Sequence, residues 1–247
     1  MKNSALLIML IASLFVGSCN KQKNPDPISP TANVKIKFLN QADGVSIVQG
    51  SGTYTNSAGN QYTVDLLKYY VSNVILVKDD GNQVKLGNFD LINAFDDNFS
   101  TVEALNIPNG TYKTMLFDLG IEKGRNHSGA QDGDLDPSYN MIWSWNTGYI
   151  FFKHEGNYIN SSNVSKSLTL HLGTDDALAQ VTVPITLEVT GKDKTMNVVF
   201  NLNKMYDEPK LDFNADDYHM SDLASDAKWI GEMRVNSANA FTFKNVE

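Results

Sequence analysis

Apolar and polar residues alternate over much of this chain, which is the period-two signature of strands with one buried face. Val34, Ile36 and Phe38 alternate with Lys35 and Lys37. Leu168, Leu170 and Leu172 alternate with Thr169 and His171, and Val181, Val183, Ile185, Leu187 and Val189 follow the same rule. Pro184 interrupts that last run without an N–H to donate, so it suits a sheet edge. Gly191-Lys192-Asp193-Lys194 then turns the chain onto Met196, Val198, Phe200 and Leu202. Earlier, an extended segment from Val64 to Val77 meets the turn Asp79-Asp80-Gly81-Asn82 and returns through Val84 to Leu86. Asn93 to Glu103 reads as a polar loop, Pro108-Asn109-Gly110 as a turn, and Tyr112 to Leu119 and Phe241 to Val246 as strands. Leu223, Ala227 and Ile230 fall at helical spacing with Trp229 beside them, and Ser221 is placed to cap that helix. The pattern predicts an all-β, sandwich-like domain with long loops and one late C-terminal helix.

One stretch departs from simple alternation by being aromatic on both sides. Between Asp134 and Gly156, a continuous strand would set Trp143, Trp145, Tyr149, Phe151 and Lys153 on one face and Ile150, Phe152 and His154 on the other. Two readings follow: a central core strand, or an aromatic platform of Trp143, Trp145 and Tyr149 for sugar rings. Exposure separates them, because a platform leaves ring faces open. The loop before it, Glu122 to Tyr139, is rich in Gly, Asp and Asn, and long ordered loops usually carry function.

Composition narrows the function classes. Of 247 residues 42% are hydrophobic and 19% charged, the balance of an ordinary globular domain. A net charge of −8 disfavours a nucleic-acid partner. Residues 1–18 read as a signal peptide: Lys2, an apolar run from Ala5 to Val16, then Val16-Gly17-Ser18-Cys19, which resembles a lipobox. Cys19, the single cysteine, would become the lipidated first residue and tie the protein to a membrane. Residues 19–32, with Pro25, Pro27 and Pro30, form a tether, and 33–247 the domain. The expected location is the bacterial cell envelope, on the periplasmic or surface face of the outer membrane. No G-x-S-x-G, H-E-x-x-H or P-loop motif is present, and the expectation is a protein that is not an enzyme.

The stretch from Arg125 to Gly156 also carries a family pattern: Arg125-Asn126, Ser128-Gly129-Ala130-Gln131, Leu135-Asp136-Pro137, Met141, Trp143-Ser144-Trp145-Asn146, Gly148-Tyr149, Lys153, Glu155 and Gly156. In these residues the chain resembles the MbnP-like copper-binding family, related to the methanotroph copper proteins MopE and CorA. Tyr69-Tyr70-Val71-Ser72-Asn73 and His171-Leu172-Gly173 echo it on either side. The resemblance implies Cu(I) held by histidines. His171 matches the family's His-Leu-Gly segment and stands opposite its strand's leucine face, while His219 precedes the late helix where relatives also carry a histidine. His171 and His219 are thus the expected metal ligands, with His127 and His154 incidental. The resemblance further implies a tryptophan oxidised to kynurenine by a separate dihaem peroxidase-like enzyme. In relatives that tryptophan precedes a histidine by two positions; this chain has no Trp-x-His, so the resemblance does not fix the position, and Trp143 and Trp145 stand either as candidates for the modification or as structural residues. Independently of the family, Asp132, Asp134 and Asp136 alternate in a way that can hold Ca²⁺ through hard oxygen ligands, the simpler reading being a solvated acidic loop.

Overall fold

The computed structural model describes residues 30–144, 148–221 and 226–247. Cys19, Trp145 and Leu223 lie outside the described residues. The strands in chain order are β1 (Thr31–Ala42), β2 (Val45–Ser46), β3 (Tyr54–Thr55), β4 (Gln61–Tyr62), β5 (Leu66–Lys78), β6 (Gln83–Lys85), β7 (Phe89–Asn93) and β8 (Thr101–Pro108). They continue as β9 (Gly110–Leu119), β10 (Ile150–Ile159), β11 (Ser165–Gly173), β12 (Ala179–Val189), β13 (Lys194–Asn201), β14 (Tyr218–His219) and β15 (Phe241–Val246), with helix α1 (Ala227–Asn239) before the last.

Among the described residues these form two sheets. The smaller runs β15-β13-β1-β2, with β8 also on β1; the larger runs β12-β9-β5-β10-β11-β14, with β6 and β7 on β5 and β4 on β10. The predicted sandwich-like architecture is the observed one. In β12 every second residue is buried from Ala179 to Val189, and Pro184 sits on this outermost strand of the large sheet, at a register shift, where its missing N–H costs no ladder bond. Aromatic residues close the two layers on one another. Phe38, Phe200 and Phe241 from the small sheet meet Tyr69 and Phe117 from the large one, with Phe117 and Phe241 edge to face at 4.9 Å.

Three expectations need correction. The polar stretch Asn93 to Glu103 is only partly loop, because β8 starts at Thr101 and pairs with β1. Ser221 does not cap the helix: α1 starts after Asp226, and the Ser221 hydroxyl is spent on Gly173, whose N–H it accepts at 2.7 Å. The tryptophan strand does not exist as such. β10 begins at Ile150, and Trp143 lies upstream of a turn at Gly148, whose φ is 88°. The chain doubles back there. Trp143 N–H donates to the Gly148 carbonyl at 3.1 Å and Ile150 N–H to the Met141 carbonyl at 2.8 Å. A side chain at Gly148 would strike the Asn126 amide at 2.2 Å, so glycine is required for both reasons.

Candidate metal centre

His171 is built into β11 opposite Lys153 of β10, and Glu155 of β10 stands one step along the same face. That face of the large sheet is the one away from Leu168, Leu170 and Leu172. Alternation placed His171 off the leucine face, yet its side chain is only 7% exposed, because a loop covers it. His171 Nε2 lies 2.8 Å from Glu155 Oε1, and Lys153 Nζ lies 3.5 Å from the same oxygen. Burial, then the Lys153 charge, lowers the His171 pKa, so the ring is neutral at physiological pH. Burial alone would raise Glu155, but the His171 hydrogen bond and Lys153 hold it below the usual carboxylate range. A neutral ring whose Nε2–H donates a hydrogen bond to an ionised Glu155 has its lone pair on Nδ1. Nδ1 is buried and has no hydrogen-bond partner among the described residues. A carboxylate on one imidazole nitrogen and an open lone pair on the other is how proteins orient metal-binding histidines.

The covering loop is held by the motif residues themselves. Asn126 Oδ1 accepts the Tyr149 N–H at 2.8 Å, Gln131 Nε2 donates to the Arg125 carbonyl at 2.9 Å and to Tyr149 Oη at 3.0 Å, and Tyr149 donates to the Leu135 carbonyl at 2.8 Å. Lys68 Nζ and Lys153 Nζ reach the carbonyls of Tyr139 and Asn140 from below. This frame lowers Trp143 onto the end of β11, with its ring centroid 6.3 Å from that of His171. The indole lies so close to Gly173 that a Cβ there would come within 2.9 Å of it. Trp143 and Tyr149 are 4% and 1% exposed, which removes them as a sugar platform.

His219 lies one strand over. β14 runs parallel to β11 with His219 opposite Leu170, so the pleat sends it to the face away from His171. There it stacks on Trp229 of α1 at 4.4 Å and 10°, between Asp226 (3.1 Å from Nδ1) and Asp216 (3.4 Å from Nε2). A neutral imidazole has one N–H and can satisfy only one of these carboxylates. The structure therefore brings the two expected ligands to neighbouring strands but not around a common point. Among the described residues no group of three or more His, Cys, Asp or Glu is placed to hold a metal. That includes the proposed calcium loop: Asp134 accepts the Leu91 N–H at 2.8 Å, Asp136 accepts the Ser138 N–H at 2.8 Å, and Asp132 is exposed at the start of a short 3-10 turn. Two of the three carboxylates are committed to backbone donors. His127 is exposed on the loop. His154 is fully buried, with Nδ1 2.6 Å from Tyr206 Oη; its place between Phe152 and Gly156 on the core face was the sequence signal for that.

The family model for MbnP matches residues 31–222, which is most of the chain and includes Trp143, Glu155, His171 and His219. The chain belongs to the MbnP family. MbnP proteins are known as a copper-binding family. Among solved structures, the chain is similar to MbnP from Methylosinus trichosporium, with a TM-score of 0.54 and 19% identity, covering 74% of this chain and 80% of that one. At that identity the likeness speaks for the shared fold. No curated protein matches the chain.

Proposed function

We propose that this chain is a lipid-anchored copper-binding protein of the bacterial cell envelope, acting in copper acquisition or homeostasis. In this reading Cu(I) is held at His171, beside an oxidised Trp143. The observation that carries the reading is the Nδ1 atom of His171: buried, without a hydrogen-bond partner among the described residues, and on the ring whose other nitrogen is in contact with Glu155. A bare lone pair in an apolar surrounding is costly to leave unmade, and imidazole is a good ligand for copper. Copper supplies there a soft acceptor for uncharged donors. His219 enters as the second imidazole only if the two-residue β14 edge turns it off Trp229.

The oxidation falls on Trp143 because its ring is the one beside His171. Oxidative cleavage of the C2–C3 bond would put one oxygen on each carbon, giving a ketone at C3 and an N-formyl group from C2; hydrolysis then releases C2 as formate and frees an aromatic amine next to the metal site. The oxidant is external, delivered by a dihaem peroxidase-like partner. The lipid on Cys19 keeps the domain at the membrane, with the tether as spacer.

The test is Cu(I) titration against a competing chelator. His171→Ala is expected to lose at least about 100-fold in affinity, since removing an orienting carboxylate alone costs up to that much. Wild-type affinity in His171→Ala would discard the site. His219→Ala reports separately: an equal loss makes it a ligand, and wild-type binding leaves it as a stacking partner of Trp229. For the modification, the peptide containing Trp143 from protein purified from its native compartment is expected to carry the kynurenine mass. An unmodified Trp143 together with tight copper binding removes kynurenine from the proposal.

A further inference from the structure

The copper reading supplies one described imidazole, that of His171, with the Trp143 ring beside it, and the register of the neighbouring strand brings a thioether side chain level with it. We infer that Met220 supplies a thioether ligand to the copper held at His171. The inference rests on the copper reading above and adds to its donor set.

Its position follows from register. β14 pairs parallel with β11, Tyr218 opposite Thr169 and His219 opposite Leu170, so the next residue, Met220, comes level with His171. Sides alternate consistently along this segment. Asp217 takes the Tyr158 hydroxyl at 3.1 Å, on the buried side of β10. Tyr218 points the other way and is 63% exposed. His219 returns to stack on Trp229. Met220 therefore falls on the face of Tyr218, Thr169 and His171. The register is held beyond the end of the strand by Ser221, which is 1% exposed and bonded in both directions to Gly173, accepting from its N–H at 2.7 Å and donating to its carbonyl at 3.3 Å. Gly173 is also the residue under the Trp143 indole. One clamp thus ties the Met220 segment to the end of β11 where the metal site lies. Met220 itself is half-buried against the apolar core.

The chemistry agrees with the position. Cu(I) is soft, and thioether sulfur suits it better than carboxylate oxygen does. No thiolate is available in the domain, since the single cysteine is Cys19. Glu155 is already shared between His171 and Lys153. A neutral sulfur and a neutral imidazole place one unit of positive charge in a covered site beside the half-exposed Glu155, without adding a buried anion to be compensated.

Met220→Leu keeps volume and apolarity, so the fold should survive with an unchanged melting temperature. In the full chain, Cu(I) affinity is expected to fall by about 10-fold or more. X-ray absorption of the copper-loaded wild type should show a sulfur shell that is missing in Met220→Leu. Wild-type affinity in Met220→Leu, with affinity lost in His171→Ala, overturns the Met220 assignment and leaves the copper site standing. A sulfur shell that persists in Met220→Leu overturns it as well and points to another methionine. Wild-type affinity in both variants takes down the copper reading itself.

Discussion

Replacing Gly156 by alanine is expected to destabilise the domain by about 3 kcal/mol, the upper range for forcing atoms into a packed interior. For a domain of this size that is a fall in melting temperature of roughly 10 °C. The cause is a backbone contact, not a lost side chain. A Cβ on Gly156 would come 2.1 Å from the Thr63 carbonyl oxygen and 2.9 Å from its carbon. Thr63 cannot step aside cheaply, because its N–H donates to the Asn157 carbonyl and that of Asp65 to the Glu155 carbonyl, both at 2.8 Å. Making room means prying residues 63–65 off β10. It would also move Glu155, whose contact with His171 orients the metal-binding nitrogen, so copper affinity should fall along with stability. A melting temperature within about 2 °C of wild type would show that the close approach is not real.

The second large effect appears on acidification. His154 is fully buried, and burial pushes its pKa down from 6.5 to about 4, with a hydrogen bond to the Thr63 backbone and the charge of Glu155 opposing and the nearby His171, where it is protonated, adding slightly to the fall. A histidine whose folded pKa is depressed costs nothing above its unfolded value. As pH falls from 6.5 towards 4, the unfolded chain takes up a proton that the native state refuses, and stability drops by about 3 kcal/mol in total. Asp90 works in the opposite sense. Burial first, then the charges of Asp134 and Glu103, raise it from 3.8 to about 6 against a hydrogen bond from Asn88. Its native state binds a proton more readily than the unfolded one, so stability is gained as pH falls through 6, again by about 3 kcal/mol. These two contributions offset each other in the wild type between about pH 6 and 4. Asp90→Asn should therefore be more stable than wild type at pH 7 and lose that lead as the pH is lowered. Urea unfolding of both proteins from pH 7 to 4 measures this directly. Parallel profiles would rule out the Asp90 contribution, and a flat Asp90→Asn profile would rule out that of His154.

Much of the fold was legible because a strand writes its two faces into the sequence. Val34, Ile36 and Phe38 in β1, and Val181 to Val189 in β12, are buried at every second position as the alternation required. The same rule put His171 on the face away from the leucines. It could not say that β12 and β13, joined by a tight turn, belong to different sheets, since pairing is a matter of distant partners: β12 pairs with β9, β13 with β1 and β15. Nor could it see that Gly148 breaks the aromatic run. Period two continues through Trp143 and Tyr149 in the letters, while the backbone bonds from Trp143 to Gly148 and from Ile150 to Met141 show that the two residues lie on opposed segments.

The sequence by itself determined the strand faces, the family and the residue types available for soft-metal chemistry, because those depend on local order and composition. Only the tertiary structure decided which of those residues meet. Trp143 covers His171 because a loop pinned through Asn126, Gln131 and Tyr149 folds across the sheet. His219 is turned to Trp229 because a parallel edge strand sets it level with Leu170 instead of His171. Contacts of that kind arise between segments far apart in the chain, and no local pattern encodes them.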